Sequence, residues 1–150
     1  MIIISLDFNG NISDPLRIYR NSSNDNYDQL NSHFFPALIR KIHNLKIKKK
    51  KELVLWGNGS AKREVIYVDD LADACVHFMN KKFKGNIINI GTGKDYSIKE
   101  YANLILKLVI PNMKIKIKYD LSKPNGTPRK VLNVSLAKKY GWKYKTSLEN

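Results

Sequence analysis

Apolar residues recur at the spacing of an amphipathic helix in three stretches of the chain. Asn31-Ser32 can cap the first helix, Asp69-Asp70 opens the second with acidic residues in its first turn, and the capping box of Ser97 and Glu100 precedes the third. The positions expected to face the core are Phe35, Leu38, Ile39 and Ile42 in the first helix, Val68, Leu71, Ala72, Cys75 and Met79 in the second, and Ile98, Tyr101, Ala102, Ile105, Leu108 and Val109 in the third.

Short apolar runs between these helices predict strands, each bounded by turn residues. The runs are 2–6, 52–56, 62–68, 86–90, 114–119 and 131–134, and a short helix is expected at 135–140. The continuous run 86–90 predicts a strand that is buried on both faces, whereas lysines alternating with isoleucines at 114–119 indicate an edge strand. This order of helices and strands predicts an α/β fold of the mixed α+β kind.

One loop, from Ser122 to Lys130, combines stiffness with positive charge. Its two prolines fix φ, and its glycine permits a positive φ. Such a loop can present backbone N–H groups and cations to a phosphate, because oriented donors and positive charge together suit a dianion. The same sequence is also typical of an ordinary solvated turn. The residues alone leave both interpretations open.

The composition describes one globular domain with a large positive charge. The chain has 150 residues, is 43% hydrophobic and carries a formal net charge of +14. That charge permits a polyanion, an acidic membrane surface or an anionic small ligand as the partner. No RNA-recognition pattern, helix-turn-helix or zinc finger accompanies it, so nucleic acid is not the expected partner.

Cys75 is the one cysteine of the chain, which excludes an internal disulfide framework and fits a reducing compartment. Its place on the apolar side of a helix indicates a buried side chain rather than a nucleophile. No cluster of Cys and His has metal-ligand spacing, so no metal is expected. The sequence shows no secretory signal and no stretch near the roughly 20 apolar residues that span a bilayer. We therefore expect a cytoplasmic protein with no membrane partner.

Three features are candidates for chemistry. His33, beside a helix N-terminus, is the best candidate for a general acid or base, although a plain surface histidine is the simpler interpretation. Trp56 beside a Gly-rich turn, with Arg63 after it, can form a flat apolar surface next to a phosphate clamp, or can simply pack. Gly91-Thr92-Gly93 lacks the third glycine and the immediate helix of a dinucleotide fingerprint, so no cofactor-binding residues are identified.

Several stretches, in order along the chain, resemble the GDP-L-fucose synthase family. The more specific ones are Asn31-Ser32-His33 with Pro36-Ala37-Leu38, and Ser122-Lys123-Pro124 with Gly126-Thr127-Pro128-Arg129-Lys130. Val68-Asp69-Asp70-Leu71-Ala72 and Asn89-Ile90-Gly91-Thr92-Gly93 are shared more widely among NAD-dependent epimerases and dehydratases. The resemblance runs from about residue 24 to the end and leaves residues 1–23 unassigned.

The resemblance implies part of an extended short-chain dehydrogenase/reductase fold that lacks most of the N-terminal Rossmann domain. Residues 24–150 would be its C-terminal substrate-binding region. The family epimerises C3 and C5 of GDP-4-keto-6-deoxy-D-mannose and then reduces C4 with NADPH to give GDP-L-fucose. NADP is therefore the implied cofactor and a GDP-sugar the implied substrate. The family's cofactor loop, Tyr-x-x-x-Lys pair and catalytic cysteine belong to a segment before the region that is matched, and Cys75 does not match that cysteine.

The same resemblance assigns site residues. His33 matches the family's acid in epimerisation. Lys41, Trp56 and Arg63 match substrate-binding positions, with the cations serving the diphosphate, and Lys130 assists from the 122–130 loop. Asn125 also falls at a substrate-binding position, where the family usually has an acidic residue.

Three functions remain open on the sequence. In the first, the chain supplies the GDP-sugar-binding half of a GDP-L-fucose synthase-like enzyme and is inactive alone. It is then either the partner of a separate chain that carries the Rossmann half or a gene remnant. A family-like homodimer is compatible with this function. In the second, the chain is a non-catalytic GDP-sugar-binding module. In the third, it is a basic nucleic-acid-binding protein, which charge alone supports and which predicts an affinity that falls steeply with salt. Without the missing half, the second helix and the 86–90 strand are expected to expose an apolar patch.

Overall fold

The computed structural model describes residues 33–79, 81 and 87–149. In chain order its elements are α1 (Phe34–Ile47), β1 (Glu52–Trp56), β2 (Lys62–Arg63), α2 (Val68–Met79), β3 (Tyr96–Ser97), α3 (Ile98–Val109), β4 (Lys116–Asp120), β5 (Arg129–Lys130) and α4 (Ser135–Lys139). The strand expected at 2–6 and the caps expected at Asn31-Ser32 lie outside the described residues. The predicted mixture of helices and strands is confirmed. None of the described helices is long and apolar enough to cross a membrane.

Two compact units share these elements. Of the described residues, 33–63 and 96–129 form what we call the sheet unit, and 64–79, 81, 87–95 and 130–149 form the helical unit. Neither unit is continuous in sequence, because the chain leaves the sheet unit after Arg63 and re-enters it at Tyr96.

Two parallel strands form the centre of the sheet unit. β1 pairs with β4, with Leu53 opposite Ile117 and Trp56 opposite Asp120. Leu55, like Leu53, is buried, while Trp56 on the other face of β1 is about half exposed. The strand predicted at 52–56 is confirmed at both ends, and the predicted edge strand begins two residues later than expected, at Lys116.

In the sheet unit, short connections place the N-termini of two helices at the same end as the carboxyl ends of two strands. α1 leads into β1 and α3 leads into β4 through short connections, so each helix runs opposite to the strand that follows it. Because β1 and β4 are parallel, the N-termini of α1 and α3 and the carboxyl ends of both strands lie at the same end of the unit. Ligands of α/β folds bind at the carboxyl ends of strands.

The helices of the sheet unit largely follow their predicted patterns. Leu38 and Ile42 of α1 are buried as expected, and Leu45 extends the same stripe. The capping box of α3 is present, with Ser97 N donating to Glu100 Oε2 at 2.7 Å and Glu100 N donating to Ser97 Oγ at 3.2 Å. The stripe predicted for α3 holds over its first two turns only: Tyr101, Ala102 and Ile105 are buried, whereas Leu108 is exposed.

The core face predicted for α2, in the helical unit, is confirmed at Leu71 and wrong at Ala72 and Met79. Leu71, Ala74 and Phe78 are buried, whereas Ala72 and Met79, both expected to be buried, are exposed. Turning the helix to this face brings Phe78, the largest apolar side chain of α2, into the core cluster. The other members of that cluster are Ile66, Ile88, Ile90, Ala137 and Trp142. Cys75 packs at its margin, where burial raises the pKa of the thiol.

Asp70 lies in the first turn of α2, as predicted, and has a second role that the sequence did not indicate. Its side chain is 4% exposed and accepts from the main-chain N–H of Lys145 at 3.1 Å and of Thr146 at 2.9 Å. Asp73, one turn further along α2, accepts from the Trp142 indole N–H at 3.2 Å and pairs with Lys145 Nζ at 3.0 Å. The two carboxylates therefore fasten the C-terminal segment onto α2.

Three predicted strands are shorter, displaced or absent in the described residues. β2 ends at Arg63 instead of 68, residues 87–90 belong to no ladder, and β5 at Arg129–Lys130 replaces the strand expected at 131–134. The Glu64 carboxylate accounts for the first and the last of these differences. It is 2% exposed and accepts from Leu132 N at 2.7 Å, so the main chain bonds to a side chain where a strand neighbour was expected.

Candidate functional site

The carboxyl end of β1 carries Trp56, and the carboxyl end of β4 opens into the loop that holds Asn125 and Lys130. β1 ends at Trp56 and continues into the turn Gly57-Asn58-Gly59-Ser60, while β4 ends at Asp120 and continues into the 122–130 loop. Gly57 N donates to Asp120 O at 2.9 Å, which extends the parallel ladder by one bond and holds the two loops side by side. Every residue of the 122–130 loop is exposed.

Two lysines flank the Trp56 ring. Lys41 Nζ lies 5.2 Å and Lys123 Nζ 5.7 Å from the ring centroid, both within cation–π range. Trp56 remains 47% exposed, so part of the indole surface is open to a ligand. Partial burial lowers the pKa of Lys41, and the nearby Asp120 carboxylate opposes that shift. A flat apolar ring between two cations suits a planar base attached to phosphates.

Asp120 anchors the beginning of the 122–130 loop. Its Oδ1 accepts from Ser122 Oγ at 2.6 Å and from Ser122 N at 3.1 Å, and its main-chain oxygen accepts from Lys123 N at 3.2 Å. The bond from the Ser122 hydroxyl holds the pKa of Asp120 below its ordinary value, with smaller contributions from the Ser122 N–H and from the charges of Lys123 and Lys41. This local turn directs Lys123 toward Trp56.

Asn125 ties the middle of the loop to the turn after β1. Its Oδ1 accepts from Asn58 N at 2.7 Å. Gly57 has a φ of +61°, and a Cβ at this position would overlap the Asn125 amide. The glycine is therefore required both by its conformation and by the close approach of the loop. The Asn125 acceptor is engaged within the protein, and the substrate role predicted for this residue stays a prediction.

Arg63 fixes the far side of the loop. Its Nη1 donates to Thr127 O at 2.6 Å and to Lys62 O at 2.7 Å, and partial burial lowers the pKa of the guanidinium. The buried Tyr101 hydroxyl donates to the Arg63 carbonyl at 2.9 Å. Arg63 thus holds the loop with one nitrogen, and its planar fork keeps further N–H donors that can serve a phosphate.

The acids of the sheet unit are few and engaged. Within 33–63 and 96–129 they are Glu52, Glu100 and Asp120. Glu52 pairs with Lys118 at 2.8 Å, Glu100 closes the α3 capping box, and Asp120 holds Ser122. Within the part of the chain that the structure describes, no ion pair involves Lys41, Arg63 or Lys123. Asp120 partly offsets the charge of Lys41 and Lys123 at longer range, and the three cations together still leave a net positive charge for an anionic ligand.

The remaining predicted residues are placed as follows. His33 is the exposed N-cap residue of α1, whose main-chain oxygen accepts from Ala37 N at 3.0 Å. It belongs to the sheet unit and to the same end of that unit as Trp56. Lys130 is exposed in β5 and is assigned to the helical unit. The structure thus brings Lys41 and Trp56 together. Arg63 is bonded to the 122–130 loop, of which Asn125 is a member.

A separate groove of about 810 Å³ opens at this end of the sheet unit. It is lined by Asn58, Gly59, Ser60, Lys62, Ser97, Lys99, Glu100, Lys118, Tyr119 and Leu121. Lys41, Trp56 and Arg63 do not line it, so the groove and the indole surface are different features that share only the turn after β1.

Gly91-Thr92-Gly93, the one Gly-rich stretch considered for a cofactor, does not fit a dinucleotide phosphate. Gly93 N donates to Glu64 Oε1 at 2.7 Å and Thr92 Oγ1 donates to the same oxygen at 3.2 Å. A Cβ at Gly91 would overlap that oxygen. The loop therefore encloses a carboxylate of its own chain, and a phosphate there would meet negative charge. The described residues form no cradle for the NADP that the resemblance implies, and we assign no step to it.

Sequence reasoning missed four residues that organise these features. Asp-x-Ser at 120–122 is a local turn signal that was available in the sequence. Lys123 was visible within the basic loop, but its position beside Trp56 depends on the pairing of β1 with β4. The burial of Tyr101 was predicted from the helix pattern, but the hydrogen bonds of Glu64 and Tyr101 carried no local signal, because their partners are at least 28 residues away along the chain.

Comparison with known proteins gives the family. The model of the NAD dependent epimerase/dehydratase family matches residues 15–91. GDP-L-fucose synthase 1 of Arabidopsis thaliana is 40% identical over 136 residues, which are 91% of this chain and 41% of the relative. GDP-L-colitose synthase of Yersinia pseudotuberculosis is 41% identical over 128 residues, which are 84% of this chain and 41% of the relative.

A solved structure agrees with these sequence relatives. A GDP-6-OMe-4-keto-L-xylo-heptose reductase from C. jejuni superposes with a TM-score of 0.70 at 30% identity, over 85% of this chain and 47% of that one. The chain spans about 41% of the length of the two curated relatives. On the family match and the identities together, this chain belongs to the NAD dependent epimerase/dehydratase family.

Proposed function

We propose that the chain binds a GDP-linked keto sugar as the substrate-binding part of a GDP-L-fucose synthase-like enzyme. The observation that carries the proposal is the half-exposed Trp56 ring flanked by Lys41 and Lys123 at the carboxyl end of a parallel strand pair. The names of the three relatives given above contain different sugars but share GDP. The shared part of the ligand is therefore the guanosine diphosphate, and the cations serve its phosphates.

We assign the roles within this site from the positions of the side chains together with the family resemblance. Trp56 offers a stacking surface for the guanine, while Lys41 and Lys123 neutralise the diphosphate. Arg63 adds N–H donors from the opposite side of the loop, whereas the role of Lys130, which belongs to the helical unit, is taken from the resemblance alone. His33 is the acid of the epimerisation, which returns a proton to the sugar carbon on the face opposite to the one it left.

The overall reaction assigned to the enzyme is the 3,5-epimerisation and 4-reduction of GDP-4-keto-6-deoxy-D-mannose to GDP-L-fucose. For this 150-residue chain we propose sugar-nucleotide binding without turnover, and steady NADPH oxidation with the keto sugar nucleotide would overturn that part. A non-catalytic GDP-sugar-binding module has the same binding site and differs only in turnover once a complementing chain is supplied.

Calorimetry with GDP tests the binding proposal directly. The native chain is expected to bind GDP with a Kd below about 1 mM, and Arg63→Ala to weaken binding about 10- to 100-fold, because hydrogen bonds to charged groups contribute about 1.5–3 kcal/mol. Lys107→Ala is the matched control, since it removes an exposed cation from α3 and is expected to change the Kd less than about twofold. His33→Asn is also expected to bind GDP within about twofold of the native chain, because the assigned role of His33 is on the sugar.

A single-stranded oligonucleotide provides the competing arm. If the charge of the chain serves nucleic acid, the oligonucleotide will displace GDP and its affinity will fall steeply with salt. If the proposal holds, GDP binds in the presence of the oligonucleotide, and UDP binds more weakly than GDP because the smaller base stacks less on Trp56. Equal loss of affinity in Arg63→Ala and Lys107→Ala would contradict a defined site.

A further inference from the structure

Tyr101 joins three segments of the sheet unit through its ring. The side chain is 1% exposed, and its ring centroid lies 5.5 Å from that of Phe34, 5.5 Å from that of Phe35 and 5.7 Å from that of Tyr96. Phe34 is the first residue of α1 and directly follows His33, while Tyr96 lies opposite Arg63 in the β2–β3 pair. The ring therefore fixes the start of the helix that carries His33.

The Tyr101 hydroxyl serves a different purpose from the ring. A phenylalanine would fill the same space, but the hydroxyl donates to the Arg63 carbonyl at 2.9 Å. Arg63 is the last residue of β2, the point where the ladder ends and the chain leaves the sheet unit. The bond to Tyr101 thus holds the main chain at the residue whose guanidinium reaches Thr127 O in the 122–130 loop.

We propose that Tyr101 is a positioning residue for the anion-binding site. It holds the Arg63 main chain with its hydroxyl and the beginning of α1 with its ring, so that the guanidinium is already oriented before a ligand arrives. Without the hydroxyl, part of that orientation must be gained on binding, at a cost in affinity. The inference rests on the proposed GDP site and adds to it a buried residue that acts through Arg63.

Tyr101→Phe tests the inference because it keeps the ring and removes only the hydroxyl. The Kd for GDP, measured by calorimetry, is expected to rise about fivefold, the loss that corresponds to one ordinary hydrogen bond. Tyr96→Phe is the matched control: Tyr96 is half-buried against the same cluster, and among the described residues its hydroxyl has no hydrogen-bond partner. Its Kd is expected to stay within about twofold of the native value.

A double-mutant cycle with Arg63→Ala separates positioning from plain stability. In the Arg63→Ala background, titrated at millimolar GDP, Tyr101→Phe is expected to change the Kd less than about twofold, while it lowers the Tm by the same amount in both backgrounds. Equal changes of the Kd in both backgrounds would overturn the inference. So would a lower Tm with an unchanged Kd in Tyr101→Phe.

The failure of the proposed function is distinguishable from the failure of this inference. If the native chain binds no GDP, the function is refuted, and the positioning of Arg63 is then read from the solvent exchange of its side-chain Nε–H by NMR. Tyr101→Phe is expected to speed that exchange, whereas Tyr96→Phe leaves it unchanged. An exchange rate that is the same in the native chain and both variants would refute the positioning role on its own.

Discussion

Two glycine-containing loops of this chain differ in what their surroundings offer an anion. The 91–93 loop closes on the Glu64 carboxylate, which accepts from Gly93 N and Thr92 Oγ1 and also from Leu132 N. The 122–130 loop is exposed throughout and is held by Arg63, with Lys123 beside Trp56. Glycine permits the tight backbone of both loops, but the groups around each loop decide whether an anion from outside can bind.

Arg63 and Glu64 make the contrast at adjacent positions. Glu64 is 2% exposed, and its negative charge is satisfied by main-chain and hydroxyl donors of the helical unit. Arg63 is half-buried, and its guanidinium bonds to neutral carbonyls, so its positive charge stays uncompensated in the sheet unit. Glu64 therefore acts as an internal anion for the 91–93 loop, whereas the positive charge of Arg63 can interact with a bound anion.

Removing the internal anion should have the largest effect. Glu64→Ala leaves the N–H groups of Gly93 and Leu132 without their acceptor, and the free energy of unfolding is expected to fall by about 3 kcal/mol, because each donor left unsatisfied in a part-buried site costs about 1–3 kcal/mol. Urea unfolding followed by circular dichroism measures the change. Glu149→Ala, an exposed carboxylate in the same unit, is expected to stay within about 0.5 kcal/mol of the native chain. A loss below about 1 kcal/mol in Glu64→Ala would show that the 91–93 loop does not depend on this carboxylate.

Removing the indole should have the next largest effect and should act on binding. Trp56→Ala takes away the stacking surface between Lys41 and Lys123, and the Kd for GDP is expected to rise about tenfold, since stacking of a base on an aromatic ring contributes about 1–3 kcal/mol. Calorimetry measures the Kd. Tyr119→Ala is the control, because Tyr119 is also a partly exposed aromatic residue of the strand pair and lies opposite Leu55. If both variants lose affinity equally, the indole is not the specific surface.

The sequence predicted the elements whose signals are local. The strand at 52–56, the capping box of Ser97 and Glu100 and the buried face of α1 are set by neighbours within a few residues, and each is confirmed. The resemblance added Lys41, Trp56 and Arg63, and their roles stay predictions. The structure contributes the proximity of Lys41 to Trp56, which depends on the packing of α1 on β1.

What the sequence could not predict depends on partners that are distant along the chain. The strand expected at 131–134 is absent because the Glu64 carboxylate, directly after β2, accepts the hydrogen bond of Leu132 N. The donors to this carboxylate lie 28 to 68 positions later in the chain. The core face of α2 was predicted correctly at Leu71 but misplaced elsewhere, because Ala74 and Phe78, rather than Ala72 and Met79, join the isoleucines at 88 and 90 and Trp142 in the core. A pattern within one helix does not show which of two adjacent apolar faces the rest of the core will cover.

A smaller effect is expected where the open loop is tied to its neighbour. Asn125→Ala removes the acceptor of Asn58 N and is expected to lower the free energy of unfolding by about 1 kcal/mol, whereas Asn125→Asp keeps an acceptor and stays within about 0.5 kcal/mol. Urea unfolding of both variants measures the difference. Asn125→Ala also tests the predicted substrate role, because it adds no charge that would repel the diphosphate: a rise in its Kd for GDP beyond about fivefold would support a contact of the side-chain amide with the ligand. Unchanged affinity in both would remove Asn125 from the binding residues.

The smallest expected effect is a pH dependence of the anchor at the start of the open loop. The Ser122 hydroxyl holds the pKa of Asp120 below its ordinary value of 3.8 in the folded chain. The unfolded state therefore binds more protons than the folded state as the pH falls through this range, and the stability from the charged carboxylate is present above about pH 4 and lost below it. Asp120→Asn keeps the shape and an acceptor for Ser122 but has no charge to lose. The difference in free energy of unfolding between the native chain and Asp120→Asn, measured by urea unfolding at each pH, is expected to be constant from pH 5 to 8 and to shrink as the pH falls below about 4. Because every other carboxylate titrates identically in the two proteins, a difference that stays constant down to pH 2 would show that the charge of Asp120 does not hold the loop, and that the neutral turn with Ser122 is sufficient.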